Sequence, residues 1–203
     1  MDTAFLITAF ATLFVIIDPI GLMPIFIALT PGMTAQQRRS IAMRACLIGF
    51  FILSLFAFFG EAVLGFIGIS MPAFRIAGGA LLFLTALDML FERRAERREG
   101  QIEEMNDPSV FPLAIPLIAG PGSIATVILL SGQMQGIQGT FLVLGVALVV
   151  MFAVLTFFLA GGLLERALGK IGINVVTRLL GMLLAALSVQ FILDGLKAFG
   201  FAS

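Results

Sequence analysis

Two short stretches carry the residues that could do chemistry: Asp18-Pro19-Ile20-Gly21 and Ala119-Gly120-Pro121-Gly122-Ser123. The chemistry is binding rather than bond making. Pro121 suits the first turn of a helix, where its missing N–H would find no intrahelical partner anyway. Behind it, Gly122 and Ser123 would present amide donors at the positive end of that helix, a seat for a carboxylate, and Gly120 would allow close approach. Asp18, directly before Pro19, suits an N-cap whose carboxylate accepts from the following amides and complements the helix dipole. Two readings of Asp18 stand side by side. Either it only caps, or it also contacts a substrate ammonium or carries a coupling proton or sodium ion, since an acid inside a membrane is costly and marks function. A small zwitterion such as an amino acid would satisfy both stretches, its carboxylate at Gly120 to Ser123 and its ammonium near Asp18, Pro19 and Gly21.

Other chemistries are excluded. The chain has no histidine, a single cysteine (Cys46) and no Cys or carboxylate cluster at ligand spacing, so a His-coordinated zinc or haem site is ruled out and no cofactor is expected. No Ser/Lys or His-based constellation stands at helical spacing, so the chain does not read as an enzyme. The ten methionines form no repeated motif and read as packing.

The elements that must position the two stretches belong in a membrane. At 60% hydrophobic residues, 12% charged and a mean hydropathy of +1.14, the chain is too apolar for a soluble domain. It reads as a single all-α, polytopic membrane domain over residues 1–203. Each stretch interrupts a long apolar run, Phe5 to Leu29 and Val110 to Leu130. Proline removes a backbone donor and glycine loosens a helix, and polar backbone freed at membrane depth survives only if buried in protein or lining a wet cavity.

Spans of about 20 apolar residues give six helices. Span one is Phe5 to Leu29, span two Ile41 to Phe59 and span three Pro72 to Phe91, with Glu61 to Met71 as a short Gly-rich connection. The hydrophilic segment Glu92 to Asp107 follows. It reads as a solvated extension and linker, or as a docking or anionic-lipid surface. Span four, Val110 to Leu130, holds the further breaks Pro112 and Pro116; spans five and six are Thr140 to Leu163 and Val175 to Phe199, divided by Glu165 to Asn174. Lys and Arg crowd the connections after spans one, three and five, as Arg38, Arg39, Arg93, Arg94, Arg166 and Lys170 illustrate. Those connections should face the cytoplasm, which puts both termini on the periplasmic side.

The halves resemble each other. Glu61-Ala-Val-Leu-Gly-Phe-Ile-Gly-Ile-Ser matches Glu165-Arg-Ala-Leu-Gly-Lys-Ile-Gly-Ile-Asn, and after a one-residue gap the segment from Arg75 to Thr85 matches that from Arg178 to Ser188. Three spans per repeat is an odd number, so the second repeat (about 110–203) must be inverted relative to the first (about 1–91), on either side of a charged connection at about 92–109. That is the plan of many secondary transporters, whose substrate sits near the midplane at broken helices. The breaks align with Pro19 on Pro121, or, preserving the spacing of Pro19 and Pro24, with Pro116 and Pro121; the first register is preferred. Arg75 and Arg178 would then lie on opposite faces. They snorkel to headgroups or pair with Glu61 and Glu165, or they act as alternating gate charges. Thr85, Ser188 and Thr126 read as interhelical hydrogen bonds or substrate contacts.

The segments Asp18 to Phe26 (Asp-Pro-Ile-Gly-Leu-Met-Pro-Ile-Phe) and Ala114 to Ile124 (Ala-Ile-Pro-Leu-Ile-Ala-Gly-Pro-Gly-Ser-Ile) resemble those of the MarC family of bacterial inner-membrane proteins. The resemblance covers essentially the whole chain. It implies a six-helix protein of the cytoplasmic membrane, grouped with neutral amino-acid transporters and more distantly with exporters of the lysine-exporter type. The function expected is secondary transport or export of small solutes, neutral amino acids first, by alternating access. The alternative is a non-transporting scaffold or regulator docking through Glu92 to Asp107. The expected partners are the lipid bilayer and a small solute, not nucleic acid, and small Gly-rich faces are compatible with a homo-oligomer.

Overall fold

The computed structural model describes residues 3–91, 107–133 and 136–201, without the side chains of Glu165, Arg166 and Lys170. Most of the charged connection proposed as a docking surface, residues 92–106, lies outside this description. Among the described residues the regular structure is helical throughout.

Proline and left-handed residues, not charges, set the helix boundaries. The first apolar run folds as α1 (Thr3–Ile17) and α2 (Pro19–Leu29). Between them Asp18 adopts a left-handed backbone (φ 55°, ψ 65°), the single non-glycine residue with positive φ among those described. The helical hydrogen bonding still runs through the break, Asp18 N–H to the Phe14 carbonyl and Leu22 N–H to the Asp18 carbonyl, both at 2.9 Å. At its far end α2 is closed by Thr30, whose hydroxyl donates to the Phe26 carbonyl at 2.8 Å. The Thr30 carbonyl accepts from Arg38 Nε and Nη2 at 3.3 and 3.0 Å, a cation placed at the negative end of a helix.

Thr34 and Gln37 form a capping box that opens α3 (Ala35–Ile67). This helix runs to Ile67 without a stop at Phe59, which corrects the expected span of Ile41 to Phe59 and the expected connection from Glu61. The physical reason lies at Gly60. A Cβ there would meet Ile128 Cγ1 at 2.5 Å, so the glycine admits a neighbouring helix instead of ending its own. The stop comes at Gly68 (φ 82°), with Ile69 N–H bonded to the Leu64 carbonyl at 2.9 Å in a Schellman closure. Ser70 caps α4 (Met71–Leu90).

The second apolar run breaks more severely. In α5 (Ser109–Ile118) the residues before both prolines, Phe111 and Ile115, are extended, both X–Pro bonds are cis, and the hydrogen bonds reach five residues back, as from Ala119 N–H to the Ala114 carbonyl. The chain then bends by 54° into α6 (Pro121–Ser131). The last helical stretch, from Ile137 to Phe199, is interrupted at Gly169 (φ 62°, ψ 172°) and comprises α7 (Ile137–Leu164) and α8 (Ile171–Phe199). Among the described residues five segments are long and apolar enough to cross a membrane, and the bent pair α5–α6, counted as one span, makes six, as expected.

Helix α6 lies at the centre, with every residue from Gly122 to Ser131 except Ile124 buried. It packs on α1, α3 and α4. Helix α2 lies on α7, where Phe26 and Phe158 stack at 4.4 Å and Gly161 receives Met23 and Ile27. Helices α4 and α8 run antiparallel in close contact through glycines: a Cβ on Gly79 would meet the Ser188 carbonyl oxygen at 2.8 Å, and one on Gly181 the Ala86 carbonyl oxygen at 3.3 Å. These two contacts are reciprocal in number, 79 to 181 and 86 to 188 each being 102 residues apart. The helix starts obey the same interval, 19 to 121 and 35 to 137. By that interval Arg75 corresponds to Thr177, one residue short of the Arg178 that sequence matching selects.

Candidate functional site

The two breaks lie against each other. A Cβ on Gly122 would meet Ile16 Cδ1 at 2.8 Å and Leu82 Cδ2 at 3.6 Å, so the first turn of α6 sits on the last turn of α1, two residues before Asp18. The absence of a side chain at Gly122 is what permits this approach.

The two turns are closed in opposite senses. In the first, the fully buried Asp18 supplies the cap, and its Oδ1 accepts from Gly21 N–H at 3.0 Å. Gly21 makes room for that carboxylate: an added Cβ would overlap it, lying 2.8 Å from Cγ and closer still to Oδ2. Pro19 is buried behind. In the second turn the cap position is Gly120, which has no side chain to offer. Ser123 reaches back from within the helix instead. Its Oγ accepts from Gly120 N–H at 2.9 Å and donates to the Ile118 carbonyl at 2.6 Å. The Ser123 hydroxyl is therefore committed to closing the turn, and only the amides of Gly122 and Ser123 retain the role expected of them. They occupy the first helical turn, where α6 has no upstream carbonyl to receive them. Gly120 also has a steric task, since a Cβ there would stand 2.5 Å from the Pro116 carbonyl oxygen. Pro121 alone of this turn is exposed.

The other predicted site residues are not brought to the breaks. Glu61 lies at the opposite end of α6, its Oε1 3.1 Å from where a Gly132 Cβ would stand. Across 11 residues that is about 16 Å from Pro121. Among the described residues Glu61 and Arg75 form no ion pair, and Arg75 Nε is buried with no hydrogen-bond partner there. Arg178 lies in the early turns of α8. The side chain of Glu165 lies outside the described residues.

Two features go beyond the sequence reading, which used Pro24 only to align the repeats. Pro24, five residues after Pro19, has no N–H for the Ile20 carbonyl, so α2 carries a freed acceptor in its own first turn. Its signal was the proline itself. The second is the ion pair between Arg44 Nη1 and Asp107 Oδ2 at 2.9 Å, which joins α3 to the start of α5. Asp107 also accepts from the Ser109 hydroxyl at 2.6 Å and amide at 3.0 Å; these bonds first, and Arg44 after them, hold its carboxyl below the ordinary value of 3.8. No local pattern could announce a pair 63 residues apart.

The arrangement offers a buried carboxylate and a freed carbonyl at the start of α2, and uncapped amides at the start of α6 where it packs on the end of α1. Comparison with known proteins agrees with the membrane architecture. The family model described as MarC family integral membrane protein matches residues 3–199. A UPF0056 membrane protein of Methanocaldococcus jannaschii is 39% identical over 202 residues, covering 97% of this chain and 98% of that one. The UPF0056 membrane protein YvbG of Bacillus subtilis is 39% identical over 206 residues (97% and 96%), and one from Aquifex aeolicus is 36% identical over 197 (94% and 92%). No solved structure matches. On this evidence the chain is a multi-pass integral membrane protein of the MarC family.

Proposed function

We propose that the protein is a secondary transporter or exporter of small solutes, neutral amino acids above all, working by alternating access around its two broken spans. The observation that carries this reading is the seating of Gly122 against Ile16, which sets the first turn of α6 on the end of α1, two residues from the break at Asp18. A zwitterion matches that polarity: its carboxylate takes the amides of Gly122 and Ser123, and its ammonium takes Asp18 and the Ile20 carbonyl. Asp18 is also the group placed to carry a coupling proton or sodium ion.

The inverted-repeat plan of such carriers is supported by the shared interval of 102 residues between the starts of α2 and α6, the starts of α3 and α7, and the reciprocal glycine contacts of α4 with α8. Topology follows from charge. Arg38 and Arg39 lie between α2 and the body of α3, and the Arg44–Asp107 pair ties that end of α3 to the end of α5 next to the Arg-rich connection. One basic face results, and it is the cytoplasmic face of a bacterial inner membrane, with both termini periplasmic.

The test is flux of radiolabelled alanine into proteoliposomes, with and without imposed proton and sodium gradients, for the natural chain and for Asp18→Asn and Gly122→Leu. Asp18→Asn keeps a capping oxygen and removes the charge; Gly122→Leu fills the seat. Both variants should lose flux, and full activity in both would remove the site.

A further inference from the structure

Down one face of α3 the residues change character in the order of a lipid. Gln36, Arg39 and Ser40 line a polar recess in the first turns of the helix, and Met43 closes it. Met43 also opens an apolar groove, which continues past Leu47 and Phe50 and is walled on its other side by Leu148, Phe152 and Leu155 of α7. From Gln36 through Arg39, Met43 and Leu47 to Phe50 the steps are three or four residues, so recess and groove form a single stripe. From Arg39 to Phe50 the helix rises about 16 Å, half the hydrocarbon thickness of a bilayer. Beyond the groove, Phe58 and Phe141 meet edge to face at 5.7 Å and bring the two helices together. With Arg39 at headgroup level, the groove reaches the middle of the membrane, the depth of one acyl chain.

The cations at the mouth are not equivalent. Arg38 is engaged by the Thr30 carbonyl, and Arg44 is neutralised by Asp107 at 2.9 Å. Arg39 has no partner among the described residues and is exposed. Arg44 Nη2 also donates to Ser40 Oγ at 3.4 Å, which leaves the Ser40 hydroxyl hydrogen free to turn outward. Guanidinium, hydroxyl and side-chain amide together make a donor set suited to a phosphate, the guanidinium fork binding two of its oxygens. A second surface groove, between Leu6, Ile7 and Phe10 of α1 and Phe141 and Val149 of α7, has no charged lining residue, so a charged mouth is not a general property of grooves on this protein.

We infer that the groove between α3 and α7 is a binding site for an anionic phospholipid, its phosphate held by Arg39 with Ser40 and Gln36 and one acyl chain laid between Leu47 and Phe152. The apolar walls accept any acyl chain, so the head decides the class. A zwitterionic headgroup brings its own ammonium to the recess and gains less from Arg39. The inference is independent of what the protein transports.

The chain contains no tryptophan, so an introduced one is a clean fluorescent reporter. Phe152→Trp puts it in the groove wall, Phe51→Trp reads the same groove from the exposed surface beside Phe50, and Phe59→Trp stands on exposed α3 away from it. Each full-length protein is reconstituted in phosphatidylcholine vesicles in which the same minor fraction of lipid, either phosphatidylglycerol or phosphatidylcholine, carries bromine on its acyl chains. Brominated phosphatidylglycerol should quench both groove reporters with about fivefold higher apparent affinity than brominated phosphatidylcholine, the factor that one basic residue near a membrane surface is worth. The reporter at position 59 should not distinguish the two lipids. Arg39→Gln should abolish the preference at the groove and Arg39→Lys should keep most of it. Equal quenching by the two lipids at both groove reporters overturns the site, as does a preference that survives Arg39→Gln. The same preference at the distant reporter also overturns it, reducing the effect to a diffuse attraction of the whole basic face.

Discussion

Asp18 holds two jobs that can be separated by mutation. Its left-handed backbone costs an ordinary L-residue about 1–2 kcal/mol, which glycine escapes. Its side chain caps Gly21, and losing such a cap to alanine costs about 1 kcal/mol but only a few tenths when glycine replaces it. Asp18→Ala keeps the strained backbone and loses the cap, so it should lower the unfolding free energy by about 1 kcal/mol. Asp18→Gly also loses the cap and carboxylate but relieves the strain, so it should be about 1–2 kcal/mol more stable than Asp18→Ala. Flux should fall equally in both, since neither has a carboxylate to offer an ammonium or a coupling ion. The assays are denaturant unfolding of the detergent-solubilised protein and alanine flux in proteoliposomes. Equal destabilisation by Ala and Gly would refute the claim that the left-handed cap shapes this turn. Undiminished flux in a stable Asp18→Gly protein would refute the functional half.

Three further outcomes follow from the same geometry. Gly21→Ala should displace the Asp18 carboxylate that occupies its place, costing about 1–3 kcal/mol by overpacking, whereas Gly65→Ala, with open space around its Cβ position, should be neutral or stabilise α3 by about 0.5–1 kcal/mol; unfolding of the two variants side by side checks both. Gly120→Ala should be as damaging as Gly21→Ala, because the atom it would strike is the Pro116 backbone oxygen, which has no rotamer to escape into, and loss of folded protein on size exclusion would register it. The folded-state carboxyl of Asp107 titrates below its ordinary value, so its contribution is complete above about pH 4, where the unfolded chain's carboxyl is also ionised, and is lost as pH falls through the lower folded value. Asp107→Asn should flatten that acid limb of a stability profile; with the pair 57% and 41% exposed, the loss at neutral pH should stay under about 1 kcal/mol.

The membrane class, the six spans and both breaks were legible because each has a local cause: apolar run length, and proline next to glycine. The end of α3 was not, because glycine in a membrane helix has two meanings. At Gly60 it admits Ile128 and the helix continues, while at Gly68 it takes positive φ and the helix stops. Nothing in the order of residues distinguishes these without knowing what lies opposite. The repeat shows the same limit. Glu61 with Glu165 and Arg75 with Arg178 are the natural sequence matches, yet the helix starts and the α4–α8 contacts keep a slightly shorter interval. Helix packing registers on small residues, and charged residues near helix ends can slide by one position and still reach water. The Arg44–Asp107 pair depends wholly on tertiary arrangement.

The opposite closure of the two turns fixes which way a solute must lie. At α2 the cap is a carboxylate in front of the helix, so an incoming anion would meet Asp18 before any amide. At α6 the closing group is Ser123, inside the helix, and the cap residue in front of the first turn, Gly120, has no side chain. On the proposed transport reading, an anion would seat at α6 and a cation at α2. This makes Ser123 a structural residue whose loss should be visible without any ligand. Ser123→Ala would strand the Gly120 amide and the Ile118 carbonyl in a buried turn, at about 1–3 kcal/mol for each group left unmet, so the unliganded protein should be destabilised by several kcal/mol. Were the turn held by a bound anion instead, the alanine variant would match the natural chain without ligand and differ only with it. Unfolding of both proteins in the presence and absence of alanine decides between the two.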